Sequence, residues 1–147
     1  NNLCVASLEK IAPGLFISSS FEDEFVKRQV DELQIKVSSE DHPVSSLSGG
    51  NQQKVVVGNW LNTDPHIMFF DEPSRGIDVK AKQQIFQIIW DQSRKGISSI
   101  MVSSELEELL EVCHRILVMR HGRITGEVMP ENLRIEELYS LSMGGKL

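Results

Sequence analysis

The sequence predicts an α/β fold, and three observations carry that prediction. "HIMFF" (66–70) and "ISSIMV" (97–102) are apolar runs of strand length. Between them a helical pattern puts Ala81, Ile85, Ile88 and Ile89 on one face. Strand, helix and strand at this spacing make a βαβ unit, whose strands run parallel with a right-handed crossover. The chain of 147 residues, 40% hydrophobic, suffices for one ordinary core.

Each element follows in order. "NNLCVASLEK" reads as a helix already under way, with Leu3, Val5 and Leu8 apolar. Residues 12–20 are a loop, and Ser20 with Asp23 has the spacing of a capping box. Phe21, Phe25, Val30 and Leu33 then mark a helix over 20–34. Val55, Val56, Trp60 and Leu61 give an amphipathic helix over 49–62. The run at 66–70 is a buried strand ending in "DEP". Asp78 caps a long helix running to Lys95, which Gly96 terminates. After the strand at 97–102 comes a helix over 105–112. "RILVM" (115–119) and "RITGEV" (123–128) flank His121-Gly122, which is hairpin chemistry. A helix over 131–141 closes the chain. Trp60 and Trp90 lie on helices at positions suited to core packing.

Charge and composition exclude several classes. The net charge is −6 with no basic run, which disfavours nucleic acid as a partner. No apolar stretch approaches the roughly 20 residues that span a bilayer, and no secretory signal is visible. Cys4 and Cys113 are far apart and read as reduced thiols, while the four histidines form no metal constellation.

Two motifs carry chemistry. "LSGG" (47–50) opens a helix, where unpaired backbone N–H groups at the positive end of the dipole suit a phosphate. Glycine lets a ligand approach the backbone, and Ser48 adds a hydroxyl donor; an ordinary serine-glycine helix start would read the same. "IMFFDEP" (67–73) delivers two carboxylates at the C-terminal end of a strand, where α/β sheets place ligands. Asp71 would hold Mg²⁺, directly or through water, and Glu72 would polarise an attacking water in phosphoryl transfer. The competing reading is an acidic pair that caps the next helix.

In this order and spacing, the motifs resemble the ATP-binding cassette of ABC transporters. "LSGGNQQK" resembles the family signature, "IMFFDE" its Walker B strand, "SRGID" (74–78) its D-loop, and "VSSE" (102–105) stands where its switch loop does. "SGGNQQK" and "EPSRGIDVKAK" further resemble the second cassette of ATPases that power ribose-, galactose- and xylose-type sugar importers. The resemblance implies the C-terminal part of a P-loop NTPase domain, a mostly parallel sheet with flanking helices. Residues 1–46 would be part of the helical subdomain and 47–147 part of the ATPase core. It also implies ATP and Mg²⁺ as cofactors, with Ser48, Gly49, Gly50, Asn51, Gln52 and Asp78 at nucleotide, Asp71 at metal, and Glu72, Asp71 and Ser104 in catalysis. The implied partners are a second cassette, a membrane permease and, indirectly, a periplasmic sugar-binding protein, at the inner face of the cell membrane.

The sequence departs from the family in two places. No G-x-x-x-x-G-K-[ST] occurs, so the phosphate-cradling Walker A loop is expected upstream of a chain that is itself the C-terminal part of a cassette. The signature would then contact ATP held by the partner cassette, and Asp71 and Glu72 would act on ATP in this cassette's own site. Alone, the chain is expected to bind ATP weakly or not at all, and to be marginally stable or self-associating through uncovered sheet edges. At the switch position Ser104 stands where the family has a histidine, which would slow hydrolysis; Ser103 and Ser104 could equally cap the helix from Glu105. Arg75 could face a partner or solvent. The other readings are a non-transport ABC-type ATPase, opposed by the charge, and a degenerate non-catalytic fragment, opposed by the intact Asp71-Glu72 pair.

Overall fold

The computed structural model describes residues 2–12, 16–39 and 42–145. Part of the predicted 12–20 loop, residues 13–15, lies outside them. Contacts divide the chain into two compact units, residues 1–68 with 74–98, and residues 69–73 with 99–147.

The first unit is helical. A short 3₁₀ turn at Val5–Ser7 leads into α1, Leu8–Ile11, so the opening is two short turns rather than one helix. Then come α2 (Ser19–Glu32), α3 (Gly49–Leu61) and α4 (Val79–Arg94). The capping box expected at Ser20 and Asp23 is not made: α2 starts at Ser19, its N-cap is Ser18, and the Ser18 and Ser20 hydroxyls hydrogen-bond each other at 3.0 Å. Asp78 does cap α4, accepting the Ala81 N–H at 3.0 Å. Ala81, Ile85, Ile88 and Ile89 are all buried, joined by Phe86. Burying each of the larger side chains contributes about 1.5–3 kcal/mol.

On α3 the buried face is not the one its largest side chains suggest. Val55 and Leu61 are buried, but Val56 is exposed and Trp60 is 56% exposed. Two glycines decide this. A Cβ on Gly50 would lie 2.4 Å from the Ala81 Cβ, and one on Gly58 would lie 2.9 Å from Leu3 Cδ2. The helix packs along its glycine edge, where backbones come closest, and turns Val56 and Trp60 away. Asn62, fully buried at the C-cap of α3, ties this unit together. Its amide oxygen accepts from Arg28 and from Gln29 at 3.1 and 2.9 Å, its NH₂ donates to the Leu3 carbonyl at 2.8 Å, and its own carbonyl accepts from Lys10 at 2.9 Å.

Strands β1 (Ile67–Asp71) and β2 (Ser98–Val102) pair. The Ser98 N–H donates to the His66 carbonyl and the Glu72 N–H to the Val102 carbonyl, so the bonds climb both strands in the same direction and the pair is parallel. Burial along β1 alternates: Met68 and Phe70 are inside, while Ile67 is exposed and Phe69 is 76% exposed. The uniformly buried strand read from the apolar run is therefore buried on one face only, as the two-residue period of a strand allows.

The second unit also holds α5 (Leu106–Val112), β3 (Ile116–Arg120), β4 (Arg123–Val128) and α6 (Ile135–Ser142). The antiparallel β3–β4 hairpin turns through His121 and Gly122, at φ 48° and 74°, the double positive φ of a tight hairpin turn. A bulge after Val118 leaves Thr125 as the extra residue on β4. Ile116 and Val118 bury against Leu138 of α6, with Leu109 and Leu141 packed around them. The closing helix begins at Ile135 rather than 131, because Pro130–Asn132 forms a separate 3₁₀ turn.

Candidate functional site

The candidate residues fall into two groups, one in each unit. Ser48, Gly49, Gly50, Asn51, Gln52 and Asp78 belong to the first unit; Asp71, Glu72 and Ser104 belong to the second.

In the first group, Ser48 is the N-cap of α3 but makes no side-chain cap. Its hydroxyl instead accepts from the Asn51 NH₂ at 2.9 Å, while the Asn51 amide oxygen accepts the Lys36 N–H at 2.9 Å. Gln52 folds its NH₂ back onto the Leu47 carbonyl at 2.8 Å. The Asn51 and Gln52 side chains therefore shape the approach to the helix, leaving its first-turn amides uncapped by Ser48. The two glycines differ. Gly50 is demanded by its close approach to Ala81, whereas a Cβ on Gly49 would meet Ile77 at an ordinary 3.6 Å. Packing thus explains Gly50, and only Gly49 is left for a ligand to explain. Asp78 is accounted for by its cap on α4. Behind the motif, Lys54 is buried and donates to the Gln34 carbonyl at 3.2 Å just past α2. Burial, and then the Lys36 ammonium, hold its pKa below the usual lysine value.

In the second group, Asp71 ends β1 and is exposed. Glu72 follows at φ 49°, a left-handed conformation that costs a non-glycine residue about 1–3 kcal/mol. Its N–H is held by the Val102 carbonyl at 2.9 Å, and its carboxylate accepts from the Ser104 hydroxyl at 3.1 Å. Two residues 32 positions apart thus meet. The neighbouring Ser103 hydroxyl donates to buried Glu108 at 2.8 Å and accepts the Glu105 N–H at 3.1 Å. Ser103 thus braces the approach to α5 just ahead of its N-cap Glu105, whose own side chain makes no cap, whereas Ser104 turns to Glu72. Glu108 was missed in the sequence because the capping-box spacing points instead to Ser104 and Glu107.

Among the described residues no group of three or more His, Cys, Asp or Glu could form a protein-only metal cage. Mg²⁺ does not need one, being commonly held by one or two carboxylates plus substrate phosphates. Exposed Asp71 at a strand end fits that donor set. Burial raises the thiol pKa of Cys4 and of Cys113, the chemistry of unreactive cysteines. No helix among the described residues is long and apolar enough to cross a membrane.

A family model described as ABC transporter matches residues 6–75. The ribose import ATP-binding protein RbsA of Oceanobacillus iheyensis is 40% identical over 144 residues, covering 98% of this chain and 29% of that protein. A putative ribose/galactose/methyl galactoside import ATP-binding protein of Rhizobium etli is 42% identical, covering 98% and 28%. The chain thus spans under a third of the length of these relatives. Among solved structures, an ATP-binding cassette of an ABC transporter superposes with a TM-score of 0.75 at 22% identity, covering 97% of this chain and 58% of that one. A nucleotide-free cassette superposes at 0.70 and 23% identity. At such identities the likeness speaks to the fold.

Proposed function

The chain belongs to the ABC transporter ATP-binding family, and from that premise we propose that it supplies two half-sites of an ATPase powering sugar import. The sugar would be of the ribose or galactose class, as the relatives' names suggest, or of the xylose class that the sequence motifs also resemble. Functionally, residues 1–46 are assigned to the helical subdomain and 47–147 to the ATPase core, a boundary set by motif order rather than by the packing units. The seat of action is the inner face of the cell membrane, against a permease that a periplasmic sugar-binding protein loads.

The observation that carries the reading is the Glu72 constellation. A carboxylate at a strand end, in a strained conformation, is gripped by the switch-position loop through both its backbone N–H and its side chain. Phosphoryl transfer asks mainly for positioning and charge stabilisation. Glu72 would accept a hydrogen bond, then the proton, from the attacking water. Ser104 would orient that carboxylate and, as a neutral hydroxyl, would not add the charge an imidazolium brings. Asp71 would hold Mg²⁺, which when bound offsets the phosphate charge. Ser48, Gly49 and the first-turn amides of α3 would meet the γ-phosphate of ATP held by a second cassette, with Gly50, Asn51, Gln52 and Asp78 shaping that surface.

The test has two parts. The chain alone, titrated with Mg-ATP to millimolar levels and followed by intrinsic Trp fluorescence, is expected to show no saturable binding. Supplied with the rest of a cassette and a partner, it is expected to hydrolyse ATP, and Glu72→Gln to lower turnover by about 10²-fold or more while nucleotide still binds. Turnover undiminished by Glu72→Gln would refute the assignment.

A further inference from the structure

Two adjacent hydroxyls leave the loop after β2 in different directions. Ser104 goes to Glu72, and Ser103 goes to Glu108, a carboxylate only 2% exposed. Glu108 is the third residue of α5, whose N-cap is Glu105. In an ordinary capping box that third-position carboxylate accepts the N-cap N–H directly. Here the Ser103 hydroxyl is inserted between them. The Glu105 N–H donates to Ser103 Oγ, so the Ser103 proton is committed to Glu108. The relay has one direction, and turning Ser103 away would cost a buried carboxylate one of its donors. The same short loop begins at Val102, whose carbonyl holds the Glu72 N–H. Fixing Ser103 on the helix side thus fixes the backbone from which Ser104 reaches the other carboxylate.

We propose that Glu108, acting through Ser103, is a positioning residue that holds Ser104 on the Glu72 carboxylate. The proposal rests on the reading of Glu72 and Ser104 given above, and it goes beyond that reading by naming what sets their geometry. A simple helix cap would affect stability alone; a positioning residue also moves Glu72.

The experiment therefore reads Glu72 directly. In a preparation containing the complete nucleotide site, the ¹³C signal of the Glu72 side-chain carboxyl is followed by NMR, beside kcat and KM for ATP. Ser104→Ala is expected to shift the carboxyl signal by removing its donor. Ser103→Ala and Glu108→Ala are expected to shift it the same way and to lower kcat about tenfold with KM unchanged. Glu108→Gln, which keeps an acceptor for the Ser103 hydroxyl, is expected to restore most of both. Ser103→Ala decides the matter if Glu108→Ala does not fold. A carboxyl signal that responds to Ser104→Ala but not to Ser103→Ala overturns the proposal, as does one that ignores Ser104→Ala. Failure of the ATPase reading is seen separately, as turnover insensitive to Glu72→Gln, and the carboxyl signal still decides the positioning claim.

Discussion

The two proposed half-sites, the glycine-rich one of the first unit and the carboxylate one of the second, would draw on different parts of the peptide. At Ser48–Gln52 the proposed working groups are chiefly backbone amides, while the Asn51 and Gln52 side chains brace the loop. At Asp71, Glu72 and Ser104 the proposed working groups are side chains, and the backbone is strained at Glu72, whose carboxylate Ser104 holds. The contrast predicts opposite vulnerabilities. A site made of amides fails when atoms are added, and a site made of carboxylates fails when a charge is removed.

The sharpest test of the comparison is on the carboxylate side. Glu72→Gln in a complete cassette is expected to lower kcat by about 10²–10⁴-fold, with little change in nucleotide affinity or melting temperature. A large fall in stability instead would mean that Glu72 is structural.

Next comes the glycine pair, which should split. Gly50→Ala drives a Cβ into Ala81 and is expected to cost about 1–3 kcal/mol in chemical denaturation. Gly49→Ala has room, and is expected to leave stability unchanged or raise it by up to about 1 kcal/mol, as alanine does in helices. Its effect should appear only in ATP turnover by the partner cassette. Equal destabilisation by both would erase the distinction between a packing glycine and a ligand glycine.

A smaller effect concerns buried Lys54. Its folded-state pKa lies below the ordinary 10.5, so the unfolded chain binds more protons across the window between the two values. Stability should therefore rise as pH climbs through that window towards 10.5, and stay at its lower level below the folded-state pKa. Comparing wild type with Lys54→Met across alkaline pH checks this, because the variant should lose that part of the slope.

The smallest effect belongs to the second unit, where the Glu137 carboxylate accepts the Arg134 N–H at 2.8 Å at the start of α6. That bond, and then the Arg134 guanidinium, hold its pKa below 4.5. Its contribution should be present above 4.5 and fade as acid takes the pH through the folded-state value. Glu137→Gln should remove that acid-limb dependence and little else.

Much of this molecule was legible in its sequence, and the legible parts share a cause. The α4 core stripe, the Asp78 cap, the His121-Gly122 turn and the Asp71-Glu72 strand end are local patterns, fixed by helical and strand periods and by turn chemistry within a few residues. The bounds of α3, β1, β2 and the hairpin fell within a residue or so of expectation for the same reason. What tertiary structure alone decided are meetings between distant residues. Ser104 reaches Glu72 across 32 positions, and Asn62 gathers Leu3, Lys10, Arg28 and Gln29. Gly50 and Gly58, rather than Trp60, choose the buried edge of α3. No periodicity records how closely two backbones approach, or which of two adjacent serines a buried carboxylate will take, because both depend on the shape of the surrounding packing.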